Sequence, residues 1–381
     1  MRLVSVKIND FRNLESVAFR PSAGVNVIYG ENAQGKTNLI EAVYLLTGQK
    51  SFRQARESDF VRFGADVARI EADFECQGRT KYAALAWGSK KTAWLGGVEC
   101  QPSALTGEFL AVVFSPGELS LVQDGPAERR AFLDGAISQV MPRYLSTLNT
   151  LGRVLAQRNT LINDMARAGF PAAMEPLLET WDVNLARCAY SVFHARARFI
   201  HRLEAPAAEI YHDICQKAEP MTLCYQPGIT PPAGADWAEV SPAEGEAHIL
   251  AALREARSED RKNYCTTLGP HRDNMEVLLG GISARSFGSQ GQQRSCALAL
   301  KLAQCHVMEE TLGEAPIILL DDVLSELDRT RRDYFLKGGH RGQVFITCCE
   351  RGAVRSLAGG AAWRMKNGVL LPSRRKQKTA E

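Results

Sequence analysis

The sequence predicts an α/β fold that is interrupted by a long helical segment, and three observations carry this prediction. An apolar strand pattern at residues 25–29 runs directly into the glycine-rich stretch GENAQGKT, which a helical pattern follows. A second apolar run, at residues 317–320, ends in two aspartates, as expected of a buried parallel strand. Between these runs, residues 144–203 repeat apolar side chains at helical spacing.

The amino-terminal part of the chain favours strands. MRLVSVKIND alternates as a strand, and LESVAF and VNVIY predict the next two. The helical pattern after the glycine-rich stretch stops near Gly48. Residues 67–114 predict short strands separated by glycine turns, and the last of them is the apolar run FLAVVFS.

Helical spacing dominates from about residue 126 onward. Two long apolar series, separated by NDMARAGFPAAMEP, predict an antiparallel helical hairpin. Ser241 and Glu244 have the spacing of a capping box that opens a further helix. Strands return beyond residue 264. The predicted organisation is a two-lobed α/β head, a helical arm or lid inserted into it, and a basic tail, at residues 1–125 with 265–372, 126–264, and 373–381.

Composition and charge exclude several classes of protein. Hydrophobic and charged residues make up 45% and 23% of the chain, which is typical of a globular protein. Apolar runs are too short for a membrane-spanning helix, and MRLVSVKIND lacks the core of a secretory signal, so we expect a cytoplasmic protein without a membrane partner. The ten cysteines contain no C-x-x-C pair, so we expect reduced thiols rather than zinc ligands or disulfides.

The net charge of +3 resides in the last nine residues, SRRKQKTAE. The rest of the chain is therefore neutral, and a nucleic-acid surface would have to be a local patch. Such a tail is also typical of a solvated chain end.

The stretch Gly30–Thr37 matches the phosphate-binding pattern G-x-x-x-x-G-K-[ST]. Glycines allow backbone N–H groups to point at phosphate oxygens in conformations that a Cβ would obstruct. Lys36 then supplies a positive charge to the β- and γ-phosphates, and Thr37 supplies a hydroxyl to Mg²⁺. The strand before the stretch and the helix after it favour this interpretation over an accidental glycine turn.

Asp321 and Asp322 follow the apolar strand at residues 317–320, at the end where ligands of open α/β sheets bind. Asp321 fits the role of a Mg²⁺ ligand, usually through a bound water. Asp322 is placed to orient or deprotonate an attacking water. An ordinary acidic turn after a strand is the alternative.

The sequence Ser289-Gln290-Gly291-Gln292 precedes an apolar-periodic helix and forms an anion-binding nest or a plain helix cap. Its position before the Asp321 strand resembles the signature motif of ATP-binding-cassette (ABC) ATPases, and Ser325 to Asp328 resemble their D-loop. In that superfamily the signature of one subunit closes the nucleotide site of another. The predicted fold class is therefore α/β, an ABC-type ATPase head with mixed sheets and a phosphate-binding loop, plus an inserted helical arm or lid.

The spacing of the motifs separates two kinds of ABC ATPase. Transporter subunits carry the signature much closer to the lysine of the loop, whereas here the helical hairpin lies between Lys36 and Ser289. This arrangement resembles the structural-maintenance-of-chromosomes (SMC) type, although the arm is shorter than usual. VFITCCE also lacks the switch histidine of transporters. The ATPase subunit of a transport-type ABC complex is the alternative function, and a nucleotide-binding scaffold without turnover is a third.

Six motifs spread along the chain resemble the RecF family of bacterial recombination proteins: FRNL, GENAQGKTNLIEA, FSPGELSLVQDGPAERRAFLD, TLGPHRDN, GSQGQQRS and LLDDVLSELD. The resemblance implies an ATP-switched DNA clamp that acts in gap repair, replication restart and the SOS damage response. It also implies an ATP-dependent homodimer on DNA, slow hydrolysis that releases it, and RecR and RecO as partners.

The same resemblance assigns roles to individual residues. Asp322 is the catalytic residue, and Asp321 and Thr37 hold Mg²⁺. Apart from the resemblance, Arg12 and Asn13 lie in the predicted turn after the first strand, where they can reach the same phosphates or form only an exposed turn. The ATP-binding loop comprises Gly30, Glu31, Asn32, Ala33, Gln34, Gly35, Lys36 and Thr37. The signature that acts on the partner subunit comprises Ser289, Gln290, Gly291 and Gln292, and the D-loop residues are Ser325 and Asp328.

Two departures from the wider superfamily predict slow turnover. Ser115 occupies the position at which a glutamine normally lies near the metal ion, and Asp322 is one methylene shorter than the usual glutamate. These two differences, together with the missing histidine, should position the attacking water less firmly. We therefore expect a weak, DNA-stimulated ATPase that serves as a switch.

Two basic features have both a functional and a structural interpretation. GPHRD, at residues 269–273, can contact phosphate or DNA, or form an ion-pair cluster at the join of arm and head. A stripe at Arg196, Arg198, His201 and Arg202, with Lys90 and Lys91 at a hairpin tip, can bind duplex phosphates or form a solvated face.

Overall fold

The computed structural model describes residues 1–53, 55–216, 219–325, 331–332, 334, 342–349 and 360–372. The chain forms two compact units. The first unit consists of Met1–Ser120 with Ala297–Glu381, and the second of Leu121–Cys296. No helix in the described ranges is long and apolar enough to cross a membrane.

The first unit contains a six-stranded antiparallel sheet in the order β2-β1-β4-β5-β6-β7. One face of this sheet is buried because apolar side chains alternate along the strands, most regularly in β4. The six strands are β1 Arg2–Phe11, β2 Leu14–Phe19, β4 Ala68–Cys76, β5 Arg79–Trp87, β6 Lys91–Leu95 and β7 Val98–Cys100.

The second sheet of this unit has the order β15-β14-β3-β13-β12-β8, and its strands are parallel except for the edge strand β15. β8, β12 and β13 are buried throughout, as apolar strands covered on both faces are. The strands are β3 Val25–Tyr29, β8 Ala111–Phe114, β12 Ile317–Leu320, β13 Val344–Cys348, β14 Ala361–Lys366 and β15 Val369–Pro372.

Helix α1, Lys36–Leu45, lies between the two sheets of the first unit. Its Leu39, Ile40 and Val43 belong to one hydrophobic core with Ile8 and Ile70 of the antiparallel sheet. The same core contains apolar side chains of the parallel sheet: Ile28, Val113, Leu319 and Phe345. The core therefore fixes the start of α1 against the ends of the parallel strands.

The second unit is mainly helical and contains a three-stranded antiparallel sheet in the order β11-β10-β9. The predicted helical hairpin is present, and its two long helices, α4 and α5, pack along each other. The elements are α3 Pro126–Val140, α4 Pro142–Arg167, α5 Glu175–Cys215, β9 Met221–Gln226, α6 Pro242–Asn263, β10 Asn274–Leu279, β11 Ile282–Ser283 and α7 Ala284–Phe287. The short α2, Pro116–Leu119, belongs to the first unit, and α8, Gln290–Leu312, begins in the second unit and ends in the first.

The boundary between the units differs from the head boundary that we expect from sequence. Residues 265–296 lie in the second unit, whereas we expect them in the head from the sequence. The physical reason is strand pairing, since β10 joins β9 from Asn274↔Gln226 to Leu279↔Met221. The predicted helix start at Ser241 agrees with α6, whose first turn is capped when the Ser241 hydroxyl accepts the N–H of Glu244.

A buried charge cluster joins three helices of the second unit. Arg158 of α4 is fully buried and lies 2.7 Å from carboxylate oxygens of both Asp182 of α5 and Asp260 of α6. Its guanidinium also donates to the hydroxyl of Thr266, and Arg257 pairs with Asp182 from the other side. Removing one member of such a buried pair leaves an uncompensated charge, which costs about 3–5 kcal/mol.

We predict that Arg158→Met lowers the free energy of unfolding by about 3–5 kcal/mol because Asp260 loses its buried partner. Arg153→Met is the matched control, since Arg153 lies on the same helix with an exposed side chain and should change stability by less than about 0.5 kcal/mol. Urea-induced unfolding followed by circular dichroism measures both. Equal midpoints for the two variants would contradict a structural role of the cluster.

Candidate nucleotide-binding site

The glycine-rich loop joins β3 to α1 at the carboxyl edge of the parallel sheet. Gly35 has a φ of 107°, a conformation that side chains rarely adopt, and a Cβ there would lie 2.8 Å from Asn13 Oδ1. A Cβ on Gly30 would lie 2.3 Å from the carbonyl oxygen of Met365 in β14. Both glycines are therefore required by the geometry of the loop.

The loop offers hydrogen-bond donors from the start of α1 and from Lys36. Gly35 precedes α1 and, as a glycine, has no side chain that could cap the first turn of the helix. The ammonium of Lys36 reaches back across the loop and donates to the carbonyl oxygens of Gly30 (2.6 Å) and Glu31 (2.8 Å). A helix N-terminus, a lysine and loop N–H groups at one point form the arrangement that binds phosphate.

Two further loop residues are held by neighbouring segments, and a third turns the loop. The side chain of Gln34 accepts the N–H of Asn367 (2.5 Å), and its carbonyl oxygen accepts the N–H of Gly368 (3.0 Å). Asn32 Oδ1 lies 3.2 Å from Cys349 Sγ. Ala33 has a φ of 62°, so the loop turns at a left-handed residue before Gly35. The β14–β15 turn and the end of β13 therefore support the loop from one side.

The two predicted metal ligands meet although they are far apart in sequence. Thr37 Oγ1 lies 3.0 Å from Asp321 Oδ1. They meet because β13 lies between β3 and β12, and the three parallel strands end at the same edge of the sheet. The position of Asp321 is fixed further by its backbone N–H, which donates to the carbonyl oxygen of Phe114 in β8 (2.8 Å).

The donor set fits Mg²⁺ that arrives together with a nucleotide. One carboxylate and one hydroxyl are a usual protein contribution, because Mg²⁺ keeps waters and takes phosphate oxygens for its other positions. Within the described ranges no group of three or more histidine, cysteine or acidic side chains forms a metal site of its own. Burial raises the pKa of Asp321, Asp322 raises it further, and the hydroxyls of Thr347 and Thr37 oppose this by hydrogen bonding to the carboxylate.

Thr347 belongs to the site although the sequence motifs do not include it. It is the fourth of the five residues of the apolar strand β13, is buried, and lies 2.9 Å from Asp321 Oδ1. Its hydroxyl also accepts the backbone N–H of Asp322 at 2.9 Å, and Asp322 has a φ of 54°. A single hydroxyl near the end of an otherwise apolar strand was the available signal, but only the sheet order shows which strand stands beside Asp321.

The turn at Arg12 and Asn13 lies against the loop. Asn13 Nδ2 donates to the carbonyl oxygen of Ala33 (3.3 Å), and Asn13 Oδ1 accepts from Asn38 of α1 (2.7 Å). The guanidinium of Arg12 instead donates to Glu41, a fully buried carboxylate of α1 (2.8 Å). Asn13 is therefore placed at the loop, and Arg12 fixes the helix behind it. Phosphate contact by either residue stays a prediction.

The signature residues form an exposed helix start in the second unit. The N–H of Gln292 donates to the hydroxyl of Ser289 (3.2 Å), and the N–H of Ser289 donates to Gln292 Oε1 (2.9 Å). This reciprocal pair is a capping box. Gln290 lies exposed in the first turn with Gly291 beside it, and Gln293 is buried and donates to the carbonyl oxygens of Ala284 and Arg285. The segment is thus held rigid with its N-terminal turn toward solvent.

The predicted D-loop residues, the tail and Ser115 are the remaining positions from the sequence. Ser325 is exposed and its hydroxyl donates to the carbonyl oxygen of Asp322 (2.7 Å), whereas Asp328 lies outside the described residues, as does the tail. Ser115 follows β8 and caps α2 by accepting the N–H of Glu118. Ser115 is therefore a helix cap at the same sheet edge as Asp321, and its hydroxyl is used in the hydrogen bond to the first turn of α2.

The GPHRD segment is an ion-pair cluster within the second unit. Asp273 is fully buried, pairs with Arg196 (2.6 Å), and accepts bonds from the Tyr225 hydroxyl and the N–H of Gly228. Burial raises the pKa of Asp273, and Arg196 and Tyr225 oppose this. His271 bonds to the carbonyl oxygen of Thr266, and burial lowers its pKa. Arg272 is exposed.

The prediction of a basic stripe is wrong at Arg196. This side chain is buried between Asp134 and Asp273, so it cannot face DNA, and its charge is matched by two carboxylates. Helical spacing alone cannot separate a buried arginine from an exposed one. The other members, Arg198, His201 and Arg202, are exposed, and His201 lies 3.3 Å from Asp236. Lys90 and Lys91 at the hairpin pair with Glu99 and Glu57.

We predict that Gly35→Ala lowers ATP affinity at least tenfold, because an alanine at this φ costs about 1–3 kcal/mol and its Cβ meets Asn13. Gly24→Ala is the control. Gly24 directly precedes β3, the strand that leads into the loop, and a Cβ added there meets nothing within 4 Å. Calorimetric titration with ATP measures both. Equal affinities would show that the loop does not hold the nucleotide in this conformation.

Comparison with known proteins gives consistent matches along the chain. The family model described as the RecF/RecN/SMC N terminal domain matches residues 2–368. The DNA replication and repair protein RecF of Acetivibrio thermocellus is 34% identical over 355 residues, covering 92% of this chain and 94% of that protein. That of Heliobacterium modesticaldum is 38% identical over 378 residues, covering 97% and 99%.

Solved structures agree in fold. The recombination mediator protein RecF-ATPrS in the RecFOR pathway superposes with a TM-score of 0.89 at 30% identity, covering 98% of both chains. The SMC head bound to the C-winged helix domain of ScpA gives a TM-score of 0.55 at 14% identity, which shows a shared fold only. With an ABC-type ATPase fold, relatives above 30% identity and near-complete coverage, the chain belongs to the RecF family.

Proposed function

We propose that this chain is an ATP-switched DNA-binding protein of recombinational gap repair, replication restart and the SOS response, acting in the cytoplasm. Two copies close around two ATP molecules on DNA, and slow hydrolysis releases them. The single observation that carries the proposal is the 3.0 Å contact between Thr37 and Asp321, since it joins a phosphate-binding loop to a metal-binding carboxylate in one site.

The relatives support this proposal. The protein of A. thermocellus is described as a DNA replication and repair protein. Two structures with a TM-score of 0.89 were solved as RecF-ATP and RecF-ATPrS in the RecFOR pathway. We transfer ATP as the nucleotide, DNA as the target, and RecR and RecO as partners from these relatives and from the motif resemblance.

The residues of the loop have a defined task in this proposal. The backbone N–H groups at the start of α1 and the ammonium of Lys36 take phosphate oxygens in place of the loop carbonyls that Lys36 contacts now. Mg²⁺ supplies charge neutralisation at the phosphates when it is bound. Thr37 and Asp321 are the residues that would hold it.

Asp322 is the residue that we assign to the attacking water. It is half-buried at the end of β12, next to Asp321. The main chain of Asp322 is held by hydrogen bonds with Thr347 and Ser325. Its side chain is one methylene shorter than that of a glutamate, so its carboxylate extends less far from the strand. A carboxylate that lies farther from the attacking water accounts for slow turnover, because a general base must be within hydrogen-bond distance of the proton that it takes. Slow turnover suits a timer that sets residence on DNA.

Closure would engage the signature of the second copy. The Ser289 capping box presents a rigid, exposed helix N-terminus whose nearest anion would be the γ-phosphate on a partner's loop. ATP would therefore be shared between two subunits, whereas ADP lacks the phosphate that links them. This accounts for a dimer that depends on the state of the nucleotide.

We predict that the mass in solution on a short gapped duplex is that of a dimer with ATP and of a monomer with ADP. Lys36→Ala should remain a monomer with both nucleotides, because the loop loses its ammonium. Lys50→Ala is the control, since Lys50 is exposed beyond the end of α1 and should behave as wild type. Light scattering coupled to size-exclusion chromatography gives the mass. A wild-type monomer in every condition would contradict the switch.

We also predict that Ser289→Arg leaves ATP affinity unchanged but abolishes the ATP-dependent dimer, because Ser289 acts on the other subunit's nucleotide. Ser241→Arg is the matched control: Ser241 is also an exposed serine cap of a long helix in the second unit, so it bears the same loss of about 1 kcal/mol. ATP titration and the mass measurement separate the two effects. Normal dimerisation of Ser289→Arg would refute closure through the signature.

A further inference from the structure

The hydroxyl of Thr347 contacts both aspartates that follow β12. Thr347 Oγ1 lies 2.9 Å from Asp321 Oδ1 and 2.9 Å from the backbone nitrogen of Asp322. The directions of these bonds are fixed by chemistry. The Asp322 N–H can only donate, so the hydroxyl accepts from it, and its own proton is donated to Asp321 Oδ1 at 2.9 Å, which is nearer than the Leu320 carbonyl oxygen at 3.4 Å. One side chain thus bridges the two residues.

Thr347 and Thr37 both donate to the carboxylate of Asp321. Both hydroxyls lie within 3.0 Å of the same oxygen, Asp321 Oδ1. Thr347 is only 1% exposed, so its bond is shielded from water and from a ligand. A ligand that displaces Thr37 from Asp321 would leave the Thr347 bond in place. The carboxylate therefore keeps one fixed hydrogen bond whether or not the site is filled.

The same hydroxyl stabilises an uncommon backbone conformation. Asp322 has a φ of 54°, a left-handed value that is infrequent outside glycine, although aspartate tolerates it better than most residues. Its N–H would lack the Thr347 acceptor if that side chain were apolar. The bond thus fixes the direction in which the Asp322 side chain leaves the strand.

We propose that Thr347 is the positioning residue of the hydrolytic site, which fixes the metal-binding carboxylate of Asp321 and the orientation of Asp322 through one hydroxyl. This inference rests on the proposed function, because it assumes that the site binds Mg²⁺ and ATP. Thr347 itself touches neither. It acts as the partner of a metal ligand, and the loss of such partners typically lowers metal affinity 10- to 100-fold.

Four variants test the proposal. Thr347→Val keeps the shape of the side chain and removes the hydroxyl, Thr347→Ser keeps the hydroxyl, and Thr106→Val removes a buried hydroxyl in the same unit that has no hydrogen-bond partner within the described ranges. ATP affinity of the full chain is titrated calorimetrically in excess Mg²⁺ and again in EDTA. Thr347→Ala serves as a second hydroxyl-free variant if Thr347→Val is poorly folded.

We expect Thr347→Val and Thr347→Ala to lose 10- to 100-fold of the Mg²⁺-dependent gain in ATP affinity while the affinity in EDTA stays at the wild-type value. Thr347→Ser and Thr106→Val should retain the gain. A hydroxyl-free variant that keeps the full gain would overturn the inference, and so would a wild-type affinity that does not respond to Mg²⁺. A wild-type chain that binds no ATP under either condition would instead refute the proposed function.

Discussion

The candidate site depends on the parallel pairing of three strands. β13 lies between β3 and β12, so the loop that follows β3 and the aspartates that follow β12 meet at one sheet edge. The Thr37–Asp321 contact of 3.0 Å is the direct result. Because these strands carry apolar side chains on both faces, the sheet cannot shift without exposing its core, and the buried helix α1 fixes it further. The geometry of the site is therefore a property of the core.

Buried charge is used differently at Lys36 than at Arg158 and Arg196. In the second unit, Arg158 and Arg196 are buried and paired with carboxylates, and they join helices and loops. In the first unit, Lys36 is buried, and in the part of the chain that the structure describes its ammonium donates to loop carbonyl oxygens, which a phosphate can replace. A lysine that lacks a carboxylate partner at a helix N-terminus is suited to an anionic ligand, whereas a paired arginine is suited to stabilise the fold.

The signature illustrates a residue set with two compatible roles. Ser289 and Gln292 cap α8 through reciprocal bonds, and the same bonds hold the helix N-terminus rigid and exposed. Ser115 and Ser241 cap their helices in a similar way, with a serine hydroxyl that accepts an N–H three residues later. The cap geometry alone therefore does not distinguish a structural serine from one that acts on a ligand. The distinction comes from the motif order and, in our proposal, from closure on a second copy.

The sequence by itself determined the local features: the strand, loop and helix around Gly30–Thr37, the strand that ends in Asp321, and the long helices α4 and α5. These follow from periodicity and from glycine chemistry, which act over a few residues. Only the tertiary structure decided that Arg196 is buried, that residues 265–296 join the second unit, and that Thr347 contacts Asp321 and Asp322. The reason is physical: burial and strand order depend on contacts between distant segments, and the spacing of residues along one segment contains no information about them.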